Sequence, residues 1–192
     1  VMADVVWTIR KLATHGTEVA AVTTAVLRDE PVVVTAGDDG EVRFWSLADG
    51  DLRLSVAAAP SPKSPDRPEP TALAVDGNLL HIGWEQGLIS QVDLVTGVEA
   101  HPPEHLHEEG SWITSLAVVR GTGGEHHLAS SAGDGHVRLW YWGPERRLGL
   151  LTVLASDEGK LDQLAVLPDP TAGSGPATRL LFAGRRSKRR LA

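Results

Sequence analysis

Five acidic and imidazole side chains lie close enough in the sequence to bind a metal ion: His101, Glu104, His105, His107 and Glu109. Three of them, His105, His107 and Glu109, alternate along the chain, so an extended backbone would place them on one face. Imidazole and carboxylate groups bind Zn²⁺ and similar ions. However, the chain has no cysteine, and no second group of ligands supports a metal site. We therefore predict a solvated polar loop over residues 101–110, with no metal and no cofactor.

The sequence also lacks the motifs of common catalytic sites. Asp39 and Asp134 could act as acids or bases, but each precedes a glycine in a turn, where aspartate is favoured for structural reasons. No phosphate-binding loop G-x-x-x-x-G-K-[ST], no G-x-S-x-G elbow and no H-E-x-x-H helix occurs. We therefore expect no catalytic residue and predict that the protein is not an enzyme.

Charge and composition narrow the function further. The net charge of −7 argues against a general nucleic-acid-binding surface. A basic cluster near the end of the chain could bind nucleic acid or an acidic partner, but we interpret it as a solubilising tail or a degenerate strand; it comprises Arg185, Arg186, Lys188, Arg189 and Arg190. No apolar run approaches the ~20 residues of a membrane helix, and no signal peptide is recognisable. A cysteine-free chain fits a reducing compartment, so we expect a cytoplasmic protein.

Two similar segments of the sequence, each with an Asp-Gly pair and a Trp, indicate an internal repeat. Residues 35–45 read TAGDDGEVRFW and residues 130–140 read SSAGDGHVRLW. An Asp-Gly pair between two alternating runs predicts a β-hairpin. The rest of the chain consists of short runs rich in Val and Leu that end in turn residues, without a sustained 3.6-residue period. The sequence therefore predicts an all-β protein.

These features resemble the WD40-repeat β-propeller family. The resemblance rests on four short strands per unit, an Asp-Gly pair before the third strand and a Trp that closes it. The closing positions are Trp7, Trp45, Val92 and Trp140, at spacings near the family's period of about 40–45 residues. The resemblance implies about four blades' worth of four-stranded antiparallel sheets. We expect an incomplete arc of a larger propeller; the alternative is a small ring closed by two half blades.

The resemblance also implies the boundaries of a single propeller segment. We predict a half blade over 1–14, a blade over 15–57, a Pro-rich loop over 58–70, a degenerate blade over 71–100, a blade over 101–155, a half blade over 156–184 and a basic tail over 185–192.

In WD40 repeats a hydrogen-bonded relay stabilises each blade, and the first clear copy has a residue at every position of it. The members are His15, Thr35, Asp39 and Trp45. In the second clear copy the matching members are Ser130, Asp134 and Trp140. There Glu109 stands at the histidine position, so we expect that relay to be incomplete. The blade between them, with Ile82, Gln86 and Val92 at these positions, is expected to have none of it.

By the same resemblance, six residues are expected on the top rim of the propeller, where partners of this family bind: Glu18, Asp38, Trp84, Glu85, Trp112 and Gly133. Exposed Trp side chains are frequent hot spots of interfaces, although Trp84 and Trp112 could instead pack between blades. The predicted function is a protein–protein interaction scaffold. The alternative is a sensor or regulatory portion of a larger kinase, ATPase or protease. The expected partner is a protein or peptide, with missing blades or a second copy as further candidates; nucleic acid and membrane are not expected.

Overall fold

The computed structural model describes residues 15–57, 68–108, 110–143, 147–155, 159–168 and 178–186. Within these ranges the chain forms fourteen β-strands and one single-turn 3-10 helix, Glu85–Gly87. The prediction of an all-β chain is therefore confirmed. In the described residues, no helix has the length and apolar character needed to span a membrane.

The strands form four antiparallel sheets in which each strand pairs with its neighbour in sequence. Sheet I contains β1 Val19–Leu27, β2 Glu30–Gly37, β3 Glu41–Ser46 and β4 Leu52–Ala57. Sheet II contains β5 Pro70–Asp76, β6 Leu79–Trp84, β7 Leu88–Asp93 and β8 Val98–His105. Sheet III contains β9 Ile113–Arg120, β10 His126–Ala132, β11 His136–Trp142 and β12 Leu148–Ala155. Sheet IV contains β13 Gly159–Pro168 and β14 Thr178–Arg186.

The repeated Asp-Gly phrase forms the β2–β3 and β10–β11 hairpins. Gly40 and Gly135 adopt φ angles of 78° and 79°, a region that a side chain disfavours. Gly40 N–H donates to the carbonyl of Gly37 at 3.0 Å, and Gly135 N–H donates to the carbonyl of Ala132 at 3.1 Å. Both copies therefore turn in the same way, as the sequence predicts.

The sheets stack in chain order, with the inner strands β1, β5, β9 and β13 next to one another. Three apolar clusters fill the seams between them. The I–II seam contains Phe44, Leu80 and Ile82, the II–III seam contains Leu116, Leu128 and Trp140, and the III–IV seam contains Val137, Leu161 and Leu164. This stacking of small sheets, each buried against its neighbours, is the architecture of a propeller.

Each inner strand has a β-bulge at the same place, at Ala20, Thr71, Thr114 and Asp162. Where the bulge residue is threonine, its hydroxyl reaches the next sheet. Thr71 Oγ1–H donates to the carbonyl of Ile113 at 2.6 Å, and Thr114 Oγ1–H donates to the carbonyl of Leu161 at 2.6 Å. These two hydrogen bonds fix the position of sheet II on sheet III and of sheet III on sheet IV.

Two expectations about loops were wrong. Pro70, assigned to the Pro-rich loop, begins β5 and is paired with Trp84; proline is tolerated as the first residue of a strand. The histidine-rich segment was expected to be a loop, but residues 101–105 belong to β8. Because β8 is the edge strand of sheet II, its two prolines remove no ladder hydrogen bond on the outer side.

Several expectations fall wholly or partly outside the described residues. The half blade over 1–14 and most of the Pro-rich loop, over 58–67, lie there. Strand β14 continues to Arg186, so the first two residues assigned to the basic tail end a strand, and residues 187–192 lie outside the description.

Candidate functional site

The structure brings His15, Thr35, Asp39 and Trp45 together on sheet I. His15 Nδ1 lies 2.9 Å from Asp39 Oδ1, and His15 Nε2 lies 2.8 Å from Thr35 Oγ1. Trp45 Nε1–H donates to the same Thr35 oxygen at 2.8 Å. Because the carboxylate can only accept, Nδ1 carries the imidazole proton and Nε2 accepts from the Thr35 hydroxyl. The four side chains therefore form one directional chain of hydrogen bonds from the indole to the turn.

Asp39 is the charged end of this relay. Burial alone would raise the pKa of Asp39, but the hydrogen bond from His15, the charge of Arg43 and the N–H of Glu41 together hold that pKa below its usual value. Arg43 contributes through an ion pair at 2.7 Å. Asp39 therefore stays ionised, and it links the turn of the β2–β3 hairpin to Glu41 and Arg43 of strand β3.

Sheet III has a complete relay, contrary to expectation, because His107 supplies the imidazole. His107 Nε2 lies 2.7 Å from Ser130 Oγ, and His107 Nδ1 lies 3.0 Å from Asp134 Oδ2. Trp140 Nε1–H donates to Ser130 Oγ at 2.8 Å. The expectation that Glu109 occupies the histidine position was wrong. The segment from the histidine to the inner strand is longer before β9 than before β1, so counting back from β9 by the spacing of sheet I stops at 109, short of His107.

The second relay is more deeply buried than the first, and its pKa values reflect this. Burial lowers the pKa of His107 to about 4, against the opposing effect of the Asp134 carboxylate. Burial would raise the pKa of Asp134, but hydrogen bonds from Arg138, the His136 N–H and His107 lower it to about 2. At neutral pH the imidazole is therefore neutral and the carboxylate is ionised, with Arg138 as its counter-ion.

The two relays satisfy buried polar groups and so stabilise the fold. Trp45 and Trp140 are each 5% exposed, and His15 and His107 are also buried. Their polar atoms are already hydrogen-bonded to one another. A satisfied buried network of this kind rigidifies the hairpin that contains it.

Trp84 is not on the rim, and its assignment as a partner-binding residue was wrong. Its side chain is 1% exposed and packs in the I–II seam with Leu80 and Ile82. Its Nε1–H donates to Ser90 Oγ at 2.7 Å, so the indole is fully satisfied. Sheet II therefore contains a tryptophan–serine pair of its own, although its relay positions Ile82 and Val92 are apolar.

The remaining rim residues lie at one edge of sheets I–III, in three equivalent arrangements. In each sheet the residue before the inner strand accepts a backbone hydrogen bond from the turn between the second and third strands. Asp38 N–H donates to Glu18 at 3.1 Å, Glu85 N–H donates to Glu69 at 2.9 Å, and Gly133 N–H donates to Trp112 at 2.9 Å. The backbone therefore fixes six positions on one rim: Glu18, Asp38, Glu69, Glu85, Trp112 and Gly133.

This rim is acidic over sheets I and II and aromatic over sheet III. Burial raises the pKa of Glu69, and the charges of Glu85 and Asp38 raise it further, which shows that the three carboxylates lie near one another. Within the described ranges, none of these groups forms an ion pair with Lys, Arg or His. On sheet III the indole of Trp112 is 56% exposed.

The histidines at 105 and 107 contact different parts of the structure. His107 belongs to the relay, and His105 Nδ1 lies 3.1 Å from the carbonyl of Gln86. Among the described residues, no group of three or more His, Asp or Glu side chains is arranged to hold a metal ion.

Sequence reasoning gave no role to His81, which is the most unusual buried polar side chain of the II–III seam. It is fully buried and stacks on Trp142, with ring centroids 4.9 Å apart and planes at 19°. Neither of its nitrogens has a hydrogen-bond partner among the described residues. Burial lowers the pKa of His81 to about 4, slightly offset by the charge of Asp76, so the ring is neutral at pH 7.

Comparison with known proteins agrees with this geometry. The family model described as WD domain, G-beta repeat matches residues 7–46 and 101–141. None of the curated proteins compared with the chain by sequence matches it.

Three solved structures share the fold. The structure of U3-55K aligns with a TM-score of 0.64 and 20% identity, over 81% of this chain and 44% of that chain. The crystal structure of RRP9 WD40 repeats aligns with a TM-score of 0.63 and 21% identity, over 81% and 44%. The computationally designed Ika4 protein aligns with a TM-score of 0.61 and 22% identity, over 91% and 96%. The chain thus spans less than half the length of the first two structures, and at these identities the likeness establishes the fold alone.

Proposed function

We propose that this chain, whose stacked sheets have the propeller fold and which matches the WD40 repeat model at residues 7–46 and 101–141, is a non-catalytic scaffold that binds a protein or peptide on the rim of sheets I–III. The observation that carries the proposal is the indole of Trp112, 56% exposed and held beside the Gly133 turn by a backbone hydrogen bond. Large aromatic side chains on rigid backbone are typical centres of binding energy. The two relays support the proposal because they fix the hairpins that form this edge.

The charge of the rim indicates the chemistry of the partner. Asp38, Glu69 and Glu85 lie close enough to raise the pKa of Glu69, so an approaching Lys or Arg side chain relieves their mutual repulsion. The partner that fits best is a segment with basic residues for sheets I and II and an apolar residue for Trp112. Electrostatic complementarity of this kind directs association and selects among partners.

A peptide library displayed on phage and selected on the immobilised 192-residue chain tests this proposal. We expect selected peptides to combine Lys or Arg with an apolar residue, and to lose at least about tenfold in affinity for Trp112→Ala, as removal of a hot spot should cause. Tyr141→Ala is the matched control, since Tyr141 is an exposed aromatic residue (43%) on β11, away from this rim. Peptides that bind Trp112→Ala as tightly as the unmodified chain would show that the rim is not the binding surface.

Charge-neutralising variants test the acidic part of the rim separately. The double substitution Glu69→Gln and Glu85→Gln should weaken binding of a basic peptide and make it less sensitive to salt. Glu104→Gln, on strand β8, is the control. Equal salt dependence in all three proteins would contradict the charge argument and leave the role of Trp112 to be judged by its own variant.

A further inference from the structure

The four inner strands repeat one packing position, and only in sheet I is it left uncovered. Two residues after each bulge stands an aliphatic side chain: Val22, Leu73, Leu116 or Leu164. Leu73 packs in the I–II seam, Leu116 in the II–III seam and Leu164 in the III–IV seam, each toward the preceding sheet. Val22, in contrast, is 67% exposed.

The opposite face of the inner strands repeats a second position. Three residues after the bulge, Ala74 belongs to the II–III cluster and Ala117 to the III–IV cluster, each toward the following sheet. In the II–III seam, Leu116 thus meets Ala74 of the preceding sheet, and in the III–IV seam Leu164 belongs to the same cluster as Ala117. The equivalent residue of sheet IV is Ala165, which is exposed. Leu181, its partner across the ladder, is 49% exposed.

The two uncovered surfaces are therefore the two halves of one seam. Sheet I offers the aliphatic half on β1, at Val22 and Val26, and sheet IV offers the alanine half on β13 and β14. The two described strands of sheet IV, β13 and β14, correspond to the first two strands of sheets I–III. On sheet I, the exposed Val22 and Val26 lie on its first strand, β1. Surfaces of this kind, different and complementary on one molecule, associate head to tail.

We propose that two copies of this chain associate head to tail, with β1 of each copy packed on β13 and β14 of the other. The occupant of each open face is a second copy because that copy presents the complementary half, with the same spacing from the bulge. Two such contacts would cover the exposed apolar residues of both β1 and the β13–β14 pair.

Sedimentation of the 192-residue chain, from micromolar to submillimolar concentration, tests the proposal. We expect a species of twice 20.4 kDa. Val22→Glu should raise its dissociation constant at least about 100-fold, since each contact would then bury an unpaired carboxylate. Val98→Glu is the control, because Val98 is similarly exposed (61%) but lies on β8. A mass of 20.4 kDa at every concentration, or a dimer that Val22→Glu leaves intact, would overturn the proposal.

A cross-linking experiment keeps the proposal testable if Val22→Glu does not fold. Because the chain has no cysteine, Val22→Cys and Ala165→Cys can each be made as a single reactive site. A short bifunctional maleimide should join the two variants when they are mixed, and should join neither variant to itself. Cross-linking of Val22→Cys to itself would indicate a face-to-face dimer and overturn the head-to-tail arrangement.

Discussion

Replacement of His107 by alanine should destabilise the protein more than any other single change in the histidine-rich segment. The imidazole makes hydrogen bonds of 2.7 Å to Ser130 and 3.0 Å to Asp134 in a buried site. Each lost hydrogen bond costs about 1 kcal/mol, and the cavity left by the ring adds to this. We therefore expect the free energy of unfolding to fall by about 3 kcal/mol.

Thermal and urea unfolding, followed by circular dichroism, measure this change. A loss of about 3 kcal/mol corresponds to a decrease in Tm of about 6–12 °C for a protein of this size. His105→Ala is the matched control: His105 is exposed and its Nδ1 contacts the carbonyl of Gln86, so the loss of this side chain should cost about 0.5 kcal/mol or less. A cost below about 1 kcal/mol for His107→Ala, or a larger cost for Glu109→Ala, would refute the assignment of His107 to the relay.

The same variant has a pH signature. Because the folded-state pKa of His107 is lowered to about 4, protonation favours the unfolded chain, in which histidine titrates near 6.5. The stability contributed by the neutral ring is fully present above pH 6.5 and is lost as the pH falls from there to about 4. His107→Ala should lack that part of the acid destabilisation, which amounts to about 3 kcal/mol. An unchanged slope between pH 6.5 and 4 would contradict the burial of a neutral imidazole.

Three further changes test other parts of the structure by the same unfolding measurements. Asp39→Ala should cost a few kcal/mol, because it removes the charged end of the sheet I relay; an unchanged Tm would contradict it. His81→Leu removes a buried ring that stacks on Trp142 without hydrogen bonds. The free energy of unfolding of His81→Leu should differ little from that of the unmodified chain at pH 7. Between pH 6.5 and 4 the variant should lose less stability than the unmodified chain, and an equal loss in both proteins would contradict the burial of a neutral His81 ring. Thr71→Val should lower the free energy of unfolding by about 1 kcal/mol, because it removes the hydrogen bond to the carbonyl of Ile113. An unchanged free energy of unfolding would show that this hydrogen bond does not stabilise the II–III seam.

The sheets and the first relay could be predicted from sequence because short-range signals encode them. The Asp39-Gly40 turn fixes the register of β2 and β3, and the register then places Trp45 opposite Val33, on the same face as Thr35. Of the four relay members, only the histidine lies outside the β2–β3 hairpin. In the first copy it is close to β1, so position alone identified it.

His107 was missed because nothing in a strand register determines the length of the preceding loop. What the relay requires is that an imidazole reach both Ser130 and Asp134, and several loop lengths allow this. The signal was present all the same: His107 is an imidazole shortly before an inner strand, whereas Glu109 cannot donate to Asp134 while it is ionised.

Trp84 was misplaced for a different reason, since its position next to a turn was given more weight than its periodicity. Leu80, Ile82 and Trp84 alternate along β6 and point into the same seam, and this period of two was visible in the sequence. The 56% exposure of Trp112, in contrast, could not be derived from any pattern in the sequence.

On the rim, the backbone determines the geometry and the side chains determine the charge and the apolar surface. The hydrogen bonds from Asp38 to Glu18, from Glu85 to Glu69 and from Gly133 to Trp112 involve only main-chain atoms, so the geometry of the edge does not depend on the residue types that occupy it. Substitutions there cost little stability and are free to serve recognition. In the proposed function, the carboxylates on sheets I and II and the indole on sheet III are the groups that select the partner. A bound peptide should therefore have one orientation, with its basic residues over sheets I and II.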